Sequence, residues 1–305
     1  MRRFMTTIVL VSGLLLTACS TTTPTEVPTT SPTEVSGTSP TEAPTTSPTE
    51  VPTASEVSLS GSISVTGSTT VQPLAEIFAG EFMTANPDVV IDVQGGGSSV
   101  GVKAAGEGTS DIGTASREIK EEEKTEFPNI NVVVIARDGI AAIVNPDVPV
   151  DNLTVEQIRA IFSGEITNWS EVGGPDEAIL TVSREEGSGT RDAFQEMVMG
   201  KDVLITENAI LQPSNGAVRT TVSTTPYSIG YLSFGYLDES VKALSIEGIA
   251  PTEENASNGT YPVVRPLNML TNGEPEGIVK SFLDYVLSSE GQAVVKEEGY
   301  IPVNN

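Results

Sequence analysis

The stretch Ser183-Arg184-Glu185-Glu186-Gly187-Ser188-Gly189-Thr190-Arg191 gathers the residue types that can hold an anion. Arg184 supplies a planar, permanently charged donor fork, and Ser188 and Thr190 supply hydroxyl protons. Gly187 and Gly189 let the backbone approach a ligand closely. The apolar run Ala178 to Val182 precedes the segment and reads as a buried strand. Phe194, Met197 and Val198 follow it at helical spacing. The polar residues therefore stand where a strand ends and a helix begins. There the first backbone N–H groups have no internal partner, and the helix dipole favours negative charge. An ordinary N-cap with a surface arginine would explain this segment equally well on its own.

The same order of elements recurs along the chain. Ile63-Ser64-Val65 reads as a strand, ends in Gly67-Ser68-Thr69-Thr70, and leads into a helix bearing Leu74, Ile77, Phe78 and Phe82. Val89 to Val93 reads as a second strand and ends in Gly95-Gly96-Gly97-Ser98-Ser99 before another helix. Asp111 to Ala115 is a third, ending in Ser116-Arg117, and Val132 to Ala136 a fourth. Ser214-Asn215-Gly216 opens a further helix without so clear a strand before it. This alternation indicates an α/β fold with a parallel sheet covered by helices on both faces. In such sheets ligands bind beyond the carboxyl ends of the strands. One Ser/Thr cluster is explained by capping alone. Three of them, with an arginine, indicate a shared site for a small, multiply oxygenated anion.

Composition removes other classes. The chain of 305 residues carries 16 basic and 41 acidic residues, a formal charge of −25. No basic face is available to neutralise phosphates, so nucleic acid is not expected as a partner. Histidine is absent, which removes the commonest general base, the commonest zinc ligand and every Ser-His triad. No metal or other cofactor is expected. Distant surface charge is screened within about 10 Å at ordinary salt, so a local site for an anion survives on an acidic protein. Long-range attraction does not help capture.

The only cysteine, Cys19, follows a positive start (Arg2, Arg3), a short apolar core over residues 7–16, and small residues Thr17 and Ala18. Residues 1–18 therefore read as a secretory signal peptide. Leu16-Thr17-Ala18-Cys19 resembles the lipobox of bacterial lipoproteins, which implies cleavage before Cys19 and acylation of its thiol. Residues 19–56 read as a lipid-anchored linker of Ser, Thr, Pro and Glu. Ser-Pro-Thr-Glu recurs in it at Ser31, Ser39 and Ser47. Such a segment cannot bury enough apolar surface to fold. It reaches at most on the order of 100 Å.

The four glycine- and hydroxyl-rich motifs, in order, resemble the phosphate-binding proteins of bacterial phosphate ABC importers. So do Arg137-Asp138-Gly139-Ile140, Phe162-Ser163-Gly164, Thr167-Asn168-Trp169 and Ile229-Gly230-Tyr231. The match runs over essentially all of residues 61–303. The resemblance implies a clamshell of two Rossmann-like lobes joined by a two-crossing hinge, the type II periplasmic-binding-protein arrangement. Lobe one would be residues 57–139 and 266–305, and lobe two residues 140–265. It implies a monomeric extracytoplasmic receptor that encloses inorganic phosphate and passes it to membrane permease subunits. The candidate ligand set is Ser68, Thr69, Thr70, Ser98, Ser99 and Ser116 from lobe one, and Arg184, Ser188, Gly189 and Thr190 from lobe two. Glu186 stands where the family places an acid that orients the binding arginine.

One position departs from the family. An aspartate usually follows the Ala-Ser of the third strand end and accepts the proton that phosphate carries and sulfate lacks. Here the residue is Arg117. Asp138 is the candidate replacement, with a turn role as the alternative. Arg117 either lies in the pocket or pairs with the Glu121–Glu123 run; the solvated pairing is expected. The departure keeps another oxyanion (sulfate, molybdate or tungstate) open as the ligand. A secreted phosphatase using Ser188 or Thr190 lacks a histidine base, and a surface adhesin rests only on the linker repeats. In the second lobe, Thr154 to Phe162 reads as a helix, Ser228 to Leu232 and Val241 to Ile246 as strands, and Pro262 to Leu270 as the return crossing. Trp169 reads as core rather than as a reporter of closure.

Overall fold

The computed structural model describes residues 59–303. The signal peptide, Cys19 and the whole linker lie outside them. Among the described residues no helix is long and apolar enough to cross a membrane.

The chain begins with β1 (Gly61–Gly67), α1 (Gln72–Ala85), β2 (Val89–Gly95), α2 (Ser98–Glu107), β3 (Ile112–Ala115) and α3 (Glu121–Glu126). It continues with β4 (Ile130–Val144), β5 (Asn152–Leu153), α4 (Val155–Ser163), β6 (Leu180–Arg184), α5 (Gly189–Phe194), β7 (Ile210–Gln212) and α6 (Asn215–Thr224). It closes with β8 (Ser228–Ser233), β9 (Lys242–Ala243), β10 (Ser245–Ile246), α7 (Glu253–Ser257), β11 (Val264–Asn272), α8 (Gly277–Leu287) and α9 (Ser289–Glu297). Local chemistry sets several boundaries. Thr154 caps α4 through a reciprocal box with Gln157, and Gly164 ends it in the left-handed region. Serines cap α5, α6 and α9.

One sheet runs through the molecule in the order β2-β1-β3-β11-β4-β8-β6-β7, with β9 added on β4. Its two ends are parallel, as the strand–helix alternation requires: β1 with β2 and β3, and β6 with β7 and β8. Its middle is not parallel. β4 runs antiparallel to β11 and then to β8. This corrects the expectation of a parallel sheet that contains a short fourth strand. The strand continues through Arg137 and Asp138 to Val144, because Asp138 is neutralised by Arg265 directly opposite it on β11. The first part of β4 pairs with β11 and its last five residues pair with β8, so β4 belongs to both halves of the sheet.

Two apolar cores flank this crossing. One gathers Ile63, Leu74, Phe78, Phe82, Leu267, Phe282 and Val295, with Phe82 edge-on to Phe282 at 5.4 Å. The other gathers Ile140, Phe162, Trp169, Phe194 and Tyr231, with Phe194 stacked on Tyr231 at 4.0 Å. Trp169 is wholly buried there, its indole N–H on the Tyr227 carbonyl at 2.8 Å. Near the C-terminus, Tyr300 packs in the first core and Ile301 in the second. Ile301 also bridges Arg137.

Candidate anion-binding site

The starts of α1, α2, α5 and α6 meet at the crossing. Close approach is built into the backbone. A Cβ on Gly101 would stand 2.2 Å from the Thr114 carbonyl, so only glycine lets α2 lie this close to β3. A Cβ on Gly189 would stand 2.1 Å from Ser98 Oγ and 2.7 Å from Ser116 Oγ. The start of α5 is therefore pressed against the first half of the molecule, and the cleft is closed. The Ser99 N–H donates to the Gly187 carbonyl across it at 3.1 Å.

Ser68, Thr70, Ser98, Ser116, Arg184, Ser188 and Thr190 are all buried. Ser68 Oγ accepts the N–H groups of Thr70 and Val71, so its lone pairs serve as a cap and its proton remains to donate. Thr70 Oγ1 lies 3.1 Å from Thr190 Oγ1. Ser98 Oγ accepts from the Ser116 N–H at 3.0 Å, and the two hydroxyl oxygens lie 3.4 Å apart. Ser188 Oγ caps α5 through the Arg191 N–H. That helix start leaves the Gly189 and Thr190 N–H groups without intrahelical acceptors.

Arg184 reaches into this cluster from the end of β6. Its Nη2 donates to Thr69 Oγ1 at 3.2 Å, and its Nε to the Gln212 carbonyl at 3.1 Å. Its Nη1 is buried and has no hydrogen-bond partner among the described residues. An unpaired buried guanidinium nitrogen is costly, and an anion placed there removes the cost. The orienting acid is Glu185, not Glu186. Glu185 grips Arg184 through Nε at 2.9 Å and Nη2 at 2.8 Å. β6 ends at Arg184, so the next side chain folds back beside the guanidinium, while Glu186 sits exposed on the outside of the turn.

Two further expectations are corrected. Asp138 is not a free acceptor beside the cluster. It is wholly buried, and its two oxygens take four donors: Ser233 Oγ (2.9 Å), the Phe234 N–H (3.2 Å), Arg265 Nε (3.1 Å) and Arg265 Nη2 (2.8 Å). A carboxylate offers about four acceptor sites, so none remains for a ligand proton. Burial pushes this carboxyl up from its ordinary value, and the Arg265 charge pulls against it. Burial likewise pushes the Arg265 guanidinium down, opposed by Asp138. Arg117 is not solvated. It is 4% exposed and donates to Glu123 (2.7 and 2.8 Å), to Asp192 on α5 (2.8 Å) and to Ser99 Oγ (3.1 Å). The pairing with the Glu run holds, through Glu123. The Asp192 contact is a tie across the cleft, which Lys120 reinforces at 3.0 Å. The Ser99 hydroxyl is thus on Arg117 rather than among the central hydroxyls.

Sequence reasoning missed Arg265, whose Nη2 donates to Thr70 Oγ1 at 3.1 Å and whose Nη1 lies 3.4 Å from Ser116 Oγ. The available signal was a lone arginine inside the apolar run Val263 to Leu270. It also left Asn215 as a helix start, although its Nδ2 donates to Thr70 Oγ1 at 2.9 Å. Tyr236 and Tyr300 donate to the carbonyls of Thr69 (2.6 Å) and Thr70 (3.1 Å) and fix that loop. Burial, with Glu76 nearby, pushes the Tyr236 hydroxyl up to about 12, so it stays a donor.

The profile of the PBP superfamily domain matches residues 38–290. A relative from Bacillus subtilis, "Phosphate-binding protein PstS", is 38% identical over 252 residues, covering 82% of this chain and 83% of that one. The chain belongs to the PstS family of the PBP superfamily. A family member from Pseudomonas aeruginosa is 34% identical over 272 residues, covering 80% of this chain and 84% of its own. Among solved structures, a Clostridium perfringens protein described as a phosphate ABC transporter substrate-binding protein, with bound phosphate, is 45% identical. It superposes with a TM-score of 0.77 over 80% of this chain and all of its own. A phosphate transport receptor from Vibrio cholerae is 34% identical, with a TM-score of 0.67 over 78% of this chain and 99% of its own. These two solved structures share the mixed α/β fold of this chain.

Proposed function

We propose that this chain captures inorganic phosphate between its two halves and delivers it to the permease of a phosphate ABC importer. The observation that carries this is the buried, unpartnered Nη1 of Arg184, set among hydroxyls from helix starts on both sides of the cleft. Thr69, Thr70, Ser98, Ser116, Ser188 and Thr190 donate through hydroxyls, and Gly189 through its N–H. Ser68 caps and Ser99 braces Arg117. The first lobe is residues 57–139 and 266–305, and the second residues 140–265. We read the protein as a monomeric receptor rather than an enzyme, in keeping with relatives that are phosphate-binding proteins. Acylation of Cys19 anchors it outside the cytoplasmic membrane, and the linker sets its reach; Cys19→Ala should release it from the membrane fraction.

Isothermal titration of the mature protein tests the reading, after carried-over ligand has been removed by unfolding and refolding. Saturable one-to-one binding of phosphate is expected; heat with no ligand dependence would refute it. One observation favours a second reading, in which sulfate, molybdate or tungstate is the ligand: Asp138, the candidate acceptor of a ligand proton, is saturated. Competition among these anions separates the two.

The Arg117–Asp192 tie should slow release. Asp192 is a quarter exposed, so screening limits the pair's worth to about 1 kcal/mol or a little more. Asp192→Ala is expected to speed phosphate dissociation by about three- to tenfold in stopped flow. Small-angle scattering should show a more open form without ligand. An unchanged off-rate would remove the tie from the mechanism.

A further inference from the structure

Thr70 stands where the crossing meets both lobes. Its hydroxyl oxygen receives one N–H from Arg265 Nη2 at 3.1 Å and another from Asn215 Nδ2 at 2.9 Å. A threonine oxygen has two lone pairs and one proton. Both lone pairs are therefore taken and only the O–H is left to act, so in the 3.1 Å contact with the Thr190 hydroxyl Thr70 is the donor. Neither donor can reverse its role. A guanidinium has no acceptor, and Arg265 is held on Asp138 by two bonds. The Asn215 amide is oriented by its other end, since Oδ1 accepts the Ser233 N–H at 3.3 Å and Nδ2 must face Thr70. Both side chains are buried, so neither swings out to water.

We propose that Arg265 and Asn215 lock Thr70 as an obligate donor, and that the site therefore selects doubly ionised over singly ionised phosphate. This rests on the phosphate reading above. A P–OH turned toward Thr70 would set donor against donor and leave a buried proton unpaired. The nearby carboxylates give no relief. Asp138 is saturated, Glu185 is paired with Arg184, Glu123 with Arg117, and Asp192 with both Arg117 and Lys120. The singly ionised form brings two protons to a cluster made mainly of donors, and the doubly ionised form brings one.

The charged and titratable groups facing Thr70 are few. Arg265 approaches from β11, with Asp138 of β4 behind it, and Arg184 approaches from β6 through Thr69. The Tyr236 and Tyr300 hydroxyls donate to the Thr69 and Thr70 carbonyls. The chain has no histidine. The buried Asp138 carboxyl, which burial pushes up, is untouched in an Asn215 variant, so the difference in pH ratio between variant and wild type reports on phosphate.

The test is calorimetric titration of the mature protein with inorganic phosphate at about pH 5 and about pH 8.5, either side of the second phosphate ionisation. Wild type and Asn215→Ala are compared, with folding checked by circular dichroism. Asn215→Leu, the apolar isostere, replaces the alanine variant if that does not fold. Wild type is expected to bind at least about tenfold more tightly at the higher pH. The variant returns one lone pair to Thr70, so its ratio between the two pH values should fall toward one. A merely structural loss would weaken binding equally at both. Equal or tighter wild-type binding at about pH 5, or a variant that keeps the wild-type ratio, overturns the inference. Absence of binding at both pH values removes the phosphate reading and this inference with it.

Discussion

Arg184→Ala is expected to weaken phosphate binding by about a hundredfold to a thousandfold. Arg184 is 1% exposed, and its one unpaired nitrogen faces inward. Truncating a buried, charge-assisted donor costs about 2–5 kcal/mol, and each 1.4 kcal/mol is about tenfold in affinity. The fold should survive, because the partner left behind, Glu185, is about a third exposed and can turn to water. Arg184→Lys keeps the charge but loses the fork that grips Glu185 with two nitrogens while leaving a third for the ligand. Its affinity should fall between wild type and the alanine variant. Calorimetry reads both. An Arg184→Ala protein within about fivefold of wild type would show that the guanidinium braces the turn and does not hold the anion.

Asp138→Ala is expected to cost stability rather than only affinity. It leaves Arg265 charged, buried and without its counter-ion at the crossing of β4 and β11. Breaking a buried pair from one side typically costs about 3–5 kcal/mol. For a domain of this size that lowers Tm by roughly 6–20 °C. Removing both partners should restore much of the loss, because the desolvated charge goes too. The double variant Asp138→Leu with Arg265→Met is therefore expected to melt closer to wild type than Asp138→Ala does. Its phosphate affinity should stay reduced, since Thr70 has lost the donor that fixes its hydroxyl. A thermal melt and a titration on the same preparations separate the two effects. If the double variant melts no higher than Asp138→Ala, the pair stabilises the crossing by more than mutual neutralisation.

Much of the site was legible because its chemistry is local. Ser188 caps α5, and Ser98 opens α2 directly after a glycine turn. Gly189 lies against Ser98 and Ser116, where the strand–turn–helix order led one to look. What stayed hidden depends on pairing across the sheet. Nothing near Asp138 in sequence announces Arg265, 127 residues later, because only the antiparallel register of β4 and β11 sets them opposite each other. The same holds for Arg117 and Asp192, which stand 75 residues apart and meet only through the fold. The choice between Glu185 and Glu186 turned on where β6 ends, and neighbouring acids cannot be told apart by composition. The fourth strand was read short because Arg137-Asp138-Gly139 looks like a turn. Its polar residues are tolerated in mid-strand because Asp138 finds its counter-charge on the next strand.

A structure of the refolded protein with phosphate bound tests the central claim most directly. The anion should lie within hydrogen-bond distance of Arg184 Nη1, the Thr70, Ser98, Ser188 and Thr190 hydroxyls and the Gly189 N–H. An anion bound elsewhere, with Arg184 Nη1 still unpartnered, would contradict it.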